Sequence, residues 1–178
     1  MKLGVLIVFA LSALLWGCAT PPQCKEETVE GQGQPPVILD SYAASVIRPG
    51  ATWRIYLDAS DDDGDMRDIV AVITQTGVAS YPTSFTQIKQ EDSAELSGYL
   101  FLNTSARDRN LINDRLTLEL MVRDCQGNRS APVQFHLRFD LVTTQQTSEE
   151  REKFANRQLG AIMIDISPSL PSRPFLGL

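Results

Sequence analysis

Hydrophobic and polar residues follow three regimes along this chain. After Lys2, a nearly continuous apolar run extends from Leu3 to Trp16. Residues 19–36 keep no apolar period: Pro21-Pro22, Gly31, Gly33 and Pro35-Pro36 are interleaved with Glu26, Glu27 and Glu30, which reads as a tether. From Val37 the side chains alternate with period two, the signature of half-buried strands. Strands are predicted over Val37–Tyr42, Thr52–Ala59, Arg67–Thr76, Phe85–Lys89, Leu96–Leu102, Arg115–Arg123 and Pro132–Asp140. In the second, Trp53, Ile55, Leu57 and Ala59 share one face; in the sixth, Leu116, Leu118, Leu120 and Val122 do. Val70 and Val72 blur the alternation of the third, as a strand buried on both faces would.

Turn chemistry punctuates the strands. Arg48-Pro49-Gly50-Ala51 has Pro and Gly where a type II turn needs them. Ser60–Asp65 forms an acidic loop, and Asp124-Cys125-Gln126-Gly127-Asn128 joins the last two strands. About seven short strands punctuated this way predict an all-β, antiparallel sandwich over residues 35–140, two sheets burying one apolar face each. Beyond it, residues 141–178 form an extension. Thr147-Ser148-Glu149-Glu150 has capping-box spacing, predicting a short helix over Glu149–Gln158 closed by Gly160. An apolar segment, Ala161–Ile166, and a Pro-rich tail follow.

Three segments carry a resemblance: Pro49-Gly50-x-x-Trp53-Arg54-Ile55-x-Leu57, Asp61-x-Asp63-Gly64-Asp65, and Val122-x-Asp124-x-x-Gly127-Asn128-x-Ser130. Together they resemble the immunoglobulin-like domains of bacterial surface proteins. The intersheet disulfide of antibody domains has no counterpart, since no two cysteines lie on facing predicted strands.

At the start, one basic residue and about a dozen apolar ones match a secretory signal, too short to cross about 30 Å of hydrocarbon comfortably. Leu15-Trp16-Gly17-Cys18 resembles the lipobox of bacterial lipoproteins, with Trp16 where that family prefers a small residue. The resemblance implies a signal peptide over residues 1–17 and a Cys18 acylated on sulfur and nitrogen. It implies a lipidated tether over 18–34 and, from Ala19, sorting to the outer membrane. Several acyl chains anchor firmly where one is marginal.

Composition then removes function classes. With 22 acidic against 16 basic residues among 178, the net charge of −6 argues against nucleic acid as a partner. The single histidine, His136, excludes sites needing two imidazoles. It falls on the polar face of its strand, no G-x-S-x-G elbow is present, and no motif sets an acid beside it. The chain is read as no enzyme.

Two features remain. Asp58, Asp61, Asp62, Asp63, Asp65 and Asp68 lie close together around Gly64, oxygen donors of the kind calcium takes. The EF-hand template fails, placing Ala59 at the first ligand and Val70 at the last. The competing expectation is an ordinary turn whose Asp side chains accept backbone amides. If calcium binds, Asp124 is expected to join Asp61, Asp63 and Asp65, because alternating strand direction brings both connections to one end. The same polarity brings Cys24 and Cys125 together. They either pair, remain free thiols or bond between molecules. A closed loop of that length contributes about 4 kcal/mol in the chain-entropy model.

The leading expectation is a non-enzymatic, lipid-anchored structural or protein-interaction module of the cell envelope, held to the membrane through Cys18 and assembled with an envelope protein complex. The alternative is a ligand-binding surface lipoprotein, recognising glycan or depending on calcium. Sugar platforms need exposed aromatics, and only Tyr56, Tyr81 and Tyr99 are available. Ile162, Met163, Ile164 and Ile166 are the expected partner contact, with packing on the sandwich as the competing possibility.

Overall fold

A computed structural model describes Cys24 and residues 33–77, 80–104, 111–141 and 151–166. The signal peptide, Cys18, the rest of the tether before Gly33, and the tail after Ile166 lie outside the described residues. Among the described residues nine strands run in chain order: β1 (Val37–Ala43), β2 (Val46–Ile47), β3 (Thr52–Ser60), β4 (Met66–Gln75), β5 (Ser84–Gln87), β6 (Glu95–Asn103), β7 (Arg115–Asp124), β8 (Val133–Phe139) and β9 (Gln158–Ala161). One sheet has the order β1-β3-β6-β9 and the other β2-β8-β7-β4-β5.

The seven expected strands are all present, each within two residues of its predicted bounds. Two further ones change the architecture. β2 pairs with β8, and β9 with β6, both in parallel, so the sheets are mixed rather than antiparallel. Of the expected helix Glu149–Gln158, only Arg151 and Glu152 are helical among the described residues: residues 155–157 are irregular and Gln158 already begins β9. Phe154 is buried against Tyr56, and the following backbone completes the hydrogen bonds of β6. A short capped helix is marginal in water, so this tertiary pairing overrides it.

The inner faces meet in one core. Trp53, Ile55 and Leu57 of β3 and Leu100 and Leu102 of β6 pack with Ile69 and Ile73 of β4 and Leu116, Leu118 and Leu120 of β7. The alternation seen in sequence is therefore the alternation of core and surface. Leucine and isoleucine side chains buried this fully contribute about 1.5–3 kcal/mol each.

Both seams between the sheets are closed. On one side the chain itself crosses over: β1 lies in the first sheet and β2, three residues on, in the second. The crossing at Ala44 is held by the Trp53 indole, which donates to the Ala44 carbonyl at 2.8 Å. On the other side, β5 and β9 meet. The Thr86 hydroxyl donates to the Ala161 carbonyl at 3.4 Å, and the Met163 amide donates to the Ser84 hydroxyl at 3.1 Å. Gly98 allows this docking: a Cβ there would come within 2.5 Å of the Arg157 carbonyl oxygen, which accepts the Tyr99 amide at 2.8 Å. The type II turn forms as expected, with Gly50 at φ 85° and the Ala51 amide donating to the Arg48 carbonyl at 3.0 Å.

Candidate functional site

The β3–β4 loop, the β7–β8 turn and the chain around Cys24 and Gly33 converge at one end of the sandwich. Cys24 and Cys125 are joined there, with Cα atoms 5.2 Å apart. This pairing across a separation of 101 residues is the one that strand polarity allowed. The Gln34 amide also donates to Asp63 Oδ2 at 2.6 Å, seating the incoming chain on the acidic loop.

The loop is built by its own side chains. Asp61 Oδ2 accepts the Asp65 amide at 3.1 Å, and the Asp61 carbonyl accepts the Gly64 amide at 3.1 Å. The Asp61 and Met66 amides donate to the carbonyls of Ala94 and Ser93, fixing the loop to the β5–β6 connection. Asp124 is fully buried and saturated: Oδ1 accepts the amides of Gln126 and Asn128 at 2.9 and 2.8 Å, and Oδ2 accepts the Asn128 side chain at 2.8 Å. A carboxylate closing a turn this way is an Asx motif. The Cys125 amide then donates to the Asp65 carbonyl at 3.1 Å, linking the two connections.

Thus Asp61, Asp63, Asp65 and Asp124 do share one end, as the sequence implied. Among the described residues, no group of three or more His, Cys, Asp or Glu side chains is placed to hold a metal ion. The competing expectation, aspartates engaged by backbone amides, describes Asp61, Asp63 and Asp124. Asp65 is the strained member. Its carboxyl is raised from 3.8 to about 6, first by burial, then by a hydrogen bond with the Asp61 carboxyl, then by the charges of Asp124, Asp61 and Asp63. Asp61 Oδ1, Asp65 Oδ1 and Gln126 Oε1 are buried with no hydrogen-bond partner.

The other expected residues are placed differently. Ile162 and Ile166, each 3% exposed, belong to the core, and Ile164 packs partly against it. They are covered by the chain's own sandwich and are not free for a partner; Met163, at 81%, is the exposed member. Of the three tyrosines, Tyr56 is 1% exposed, flanked by Phe154 and Tyr99 with ring centroids 5.6 Å away in each case. Tyr81 bonds Gln75 and packs on the core, while Tyr99 carries Arg54 over its ring at 4.9 Å. His136 stands exposed on β8, its Nδ1 3.2 Å from the Thr117 hydroxyl.

Sequence reasoning missed Gln126 and Gln34 at the acidic end, for which no pattern gives a signal. It also missed that Arg115 and Arg138 stand directly opposite each other on β7 and β8. The length of the β7–β8 connection carried that information, because it sets the register. No protein-family model matches the chain, and no curated protein matches it.

Proposed function

We propose that this chain is a lipid-anchored, non-enzymatic module of the bacterial cell envelope, in which an immunoglobulin-like sandwich serves as a structural or protein-interaction unit. The observation that carries this reading is the Cys24–Cys125 bond. A disulfide fits a secreted protein in an oxidising compartment. Of the chain's three cysteines it leaves Cys18, at the lipobox, as the one for acylation. The strand grouping supports the immunoglobulin-like assignment: β1, β3 and β6 in one sheet and β4, β5, β7 and β8 in the other follow the A-B-E and C-C′-F-G division. The first strand shared between sheets agrees with it, and β9 takes the place beside β6. Envelope proteins are the proposed partners and the outer membrane the proposed location. A sugar platform built on stacked aromatic rings has less support, because the central tyrosine of the aromatic cluster lies beneath Phe154.

Metabolic labelling with radioactive palmitate in an expressing Gram-negative cell is the test. The mature chain is expected to take up label and fractionate with outer membranes, and Cys18→Ser to lose the label and appear in the soluble periplasm. An unlabelled wild-type chain, or label retained by Cys18→Ser, contradicts the anchor. Cross-linking followed by recovery from detergent extracts then identifies partners.

A further inference from the structure

A groove of about 500 Å³ crosses the outer surface of the five-stranded sheet, at the end away from the acidic loop. Ser45, Thr76, Arg115, Thr117, His136 and Arg138 line it. Their arrangement follows from register: Arg115 is paired with Arg138, and Thr117 with His136, one step along the same face. Two arginines are therefore direct cross-strand neighbours on one strand pair. Like charges directly opposite each other on neighbouring strands destabilise a sheet.

Nothing in the chain's described residues relieves this fully. Arg138 reaches Asp140 at 3.2 Å, but Arg115 forms no ion pair among the described residues. Its neighbour Asp114 is buried and accepts the Gln75 side chain at 2.9 Å instead. Arg67 and Arg123 both bond Asp68 and Arg157 bonds Asp92, whereas Arg115, like Arg48 and Arg129, has no ion pair among the described residues; it differs from them in facing a second arginine across the strand pair. In a chain of net charge −6, the groove thus holds one arginine paired to Asp140 and one, Arg115, with no ion pair among the described residues.

We propose that this groove binds an acidic sugar, a small ligand carrying a carboxylate or phosphate group on a hydroxyl-bearing body. Guanidinium groups present paired N–H donors that match carboxylate and phosphate oxygens. An anion lying between Arg115 and Arg138 turns their repulsion into two attractions. Ser45, Thr76 and Thr117 add hydroxyls, which donate and accept and so suit the ring hydroxyls of a sugar. The volume lies within the range of about 300–1,000 Å³ typical of small-molecule sites. The site goes beyond the anchored-module reading and does not depend on lipidation.

The test titrates the full chain in detergent micelles with galacturonate, glucose 1-phosphate and neutral galactose, following ¹H–¹⁵N spectra that include the arginine side chains. Galacturonate or glucose 1-phosphate is expected to produce saturable shifts at Arg115, Thr117, His136 and Arg138, and galactose none. Whichever of the two binds more tightly identifies the anion as carboxylate or phosphate. Arg115→Gln is expected to weaken binding at least about tenfold, which is about 1.4 kcal/mol. Arg129→Gln, beyond the other end of β7, is expected to leave it unchanged. Absence of saturable shifts with both anions, equal binding of galactose, or undiminished binding by Arg115→Gln overturns the proposal. Binding of a hexaglutamate peptide without either sugar also overturns it and assigns the groove to a protein partner.

Discussion

At one end of β7, Asp124 is fully buried, saturated by three hydrogen bonds and followed directly by a disulfide. At the other end, Arg115 stands exposed and faces a second arginine across the strand pair. Both ends crowd charges of one sign. The acidic end is stabilised from within, by backbone amides and by the covalent bond between Cys24 and Cys125, with a proton on Asp65 contributing only as pH falls through about 6. At the basic end Arg138 has Asp140 at 3.2 Å, while Arg115 forms no ion pair among the described residues and leaves its charge to solvent or to a ligand. Burial makes the difference: a carboxylate out of water needs donors or a proton, whereas an exposed guanidinium stays hydrated. One end is thus organised for stability, and the other remains available for binding.

The largest way to break this contrast is to remove the covalent bond. Replacing Cys24 and Cys125 together by serine is expected to lower unfolding free energy by about 4–5 kcal/mol in the chain-entropy model, since the loop they close spans 101 residues. Urea unfolding of both forms measures it, and a loss under about 1 kcal/mol would place the stability of the acidic end in its hydrogen bonds alone.

A smaller effect comes from Asp65. Its carboxyl, raised from 3.8 to about 6, holds its proton more tightly folded than unfolded. Its contribution to stability is therefore fully present below its ordinary value and lost as pH rises through about 6. Unfolding midpoints are expected to fall between about pH 5 and pH 7 on this account. Asp65→Asn is expected to flatten that slope and to be the more stable form at neutral pH. Parallel slopes for the two proteins would show that Asp65 is not the group responsible.

The smallest expected effect is at the other end. Arg115→Gln removes one of two opposed like charges and is expected to raise stability by a few tenths of a kcal/mol, on the order of the cost of such a pair. The gain should shrink in high salt, which screens exposed charges. A loss of stability would show that Arg115 has a partner within the fold.

How much of this was legible beforehand depended on the range of the interaction. Alternation in Arg115–Asp124 and Val133–Phe139 exposed the core strands, because period two is written locally. Strand polarity then sufficed to bring Cys24 to Cys125 and the acidic loop to Asp124. β2 is two residues long, too short to carry a period. β9 follows a sequence with a capping box, and only the unsatisfied edge of β6 makes it a strand. Ile162 and Ile166 looked like an unpartnered apolar segment because the surface that covers them comes from strands far back in the chain. At the acidic end, residue types were visible but not what engages them: the amides that saturate Asp124 come from a turn geometry that composition does not encode.

The disulfide also decides where tension enters the fold. A pull applied to the chain before Cys24 does not first load β1, an edge strand with one hydrogen-bonded neighbour. It passes through sulfur to Cys125 and so to the end of β7, which lies between β4 and β8. Peeling an edge strand breaks its pairing bond by bond, whereas dragging an interior strand lengthwise loads two ladders at once. For a domain hung from a moving surface by its N-terminal side, the bond acts as a mechanical bypass. In the proposed lipid-anchored arrangement, shear would be borne by the middle of the sheet while the rim stays slack.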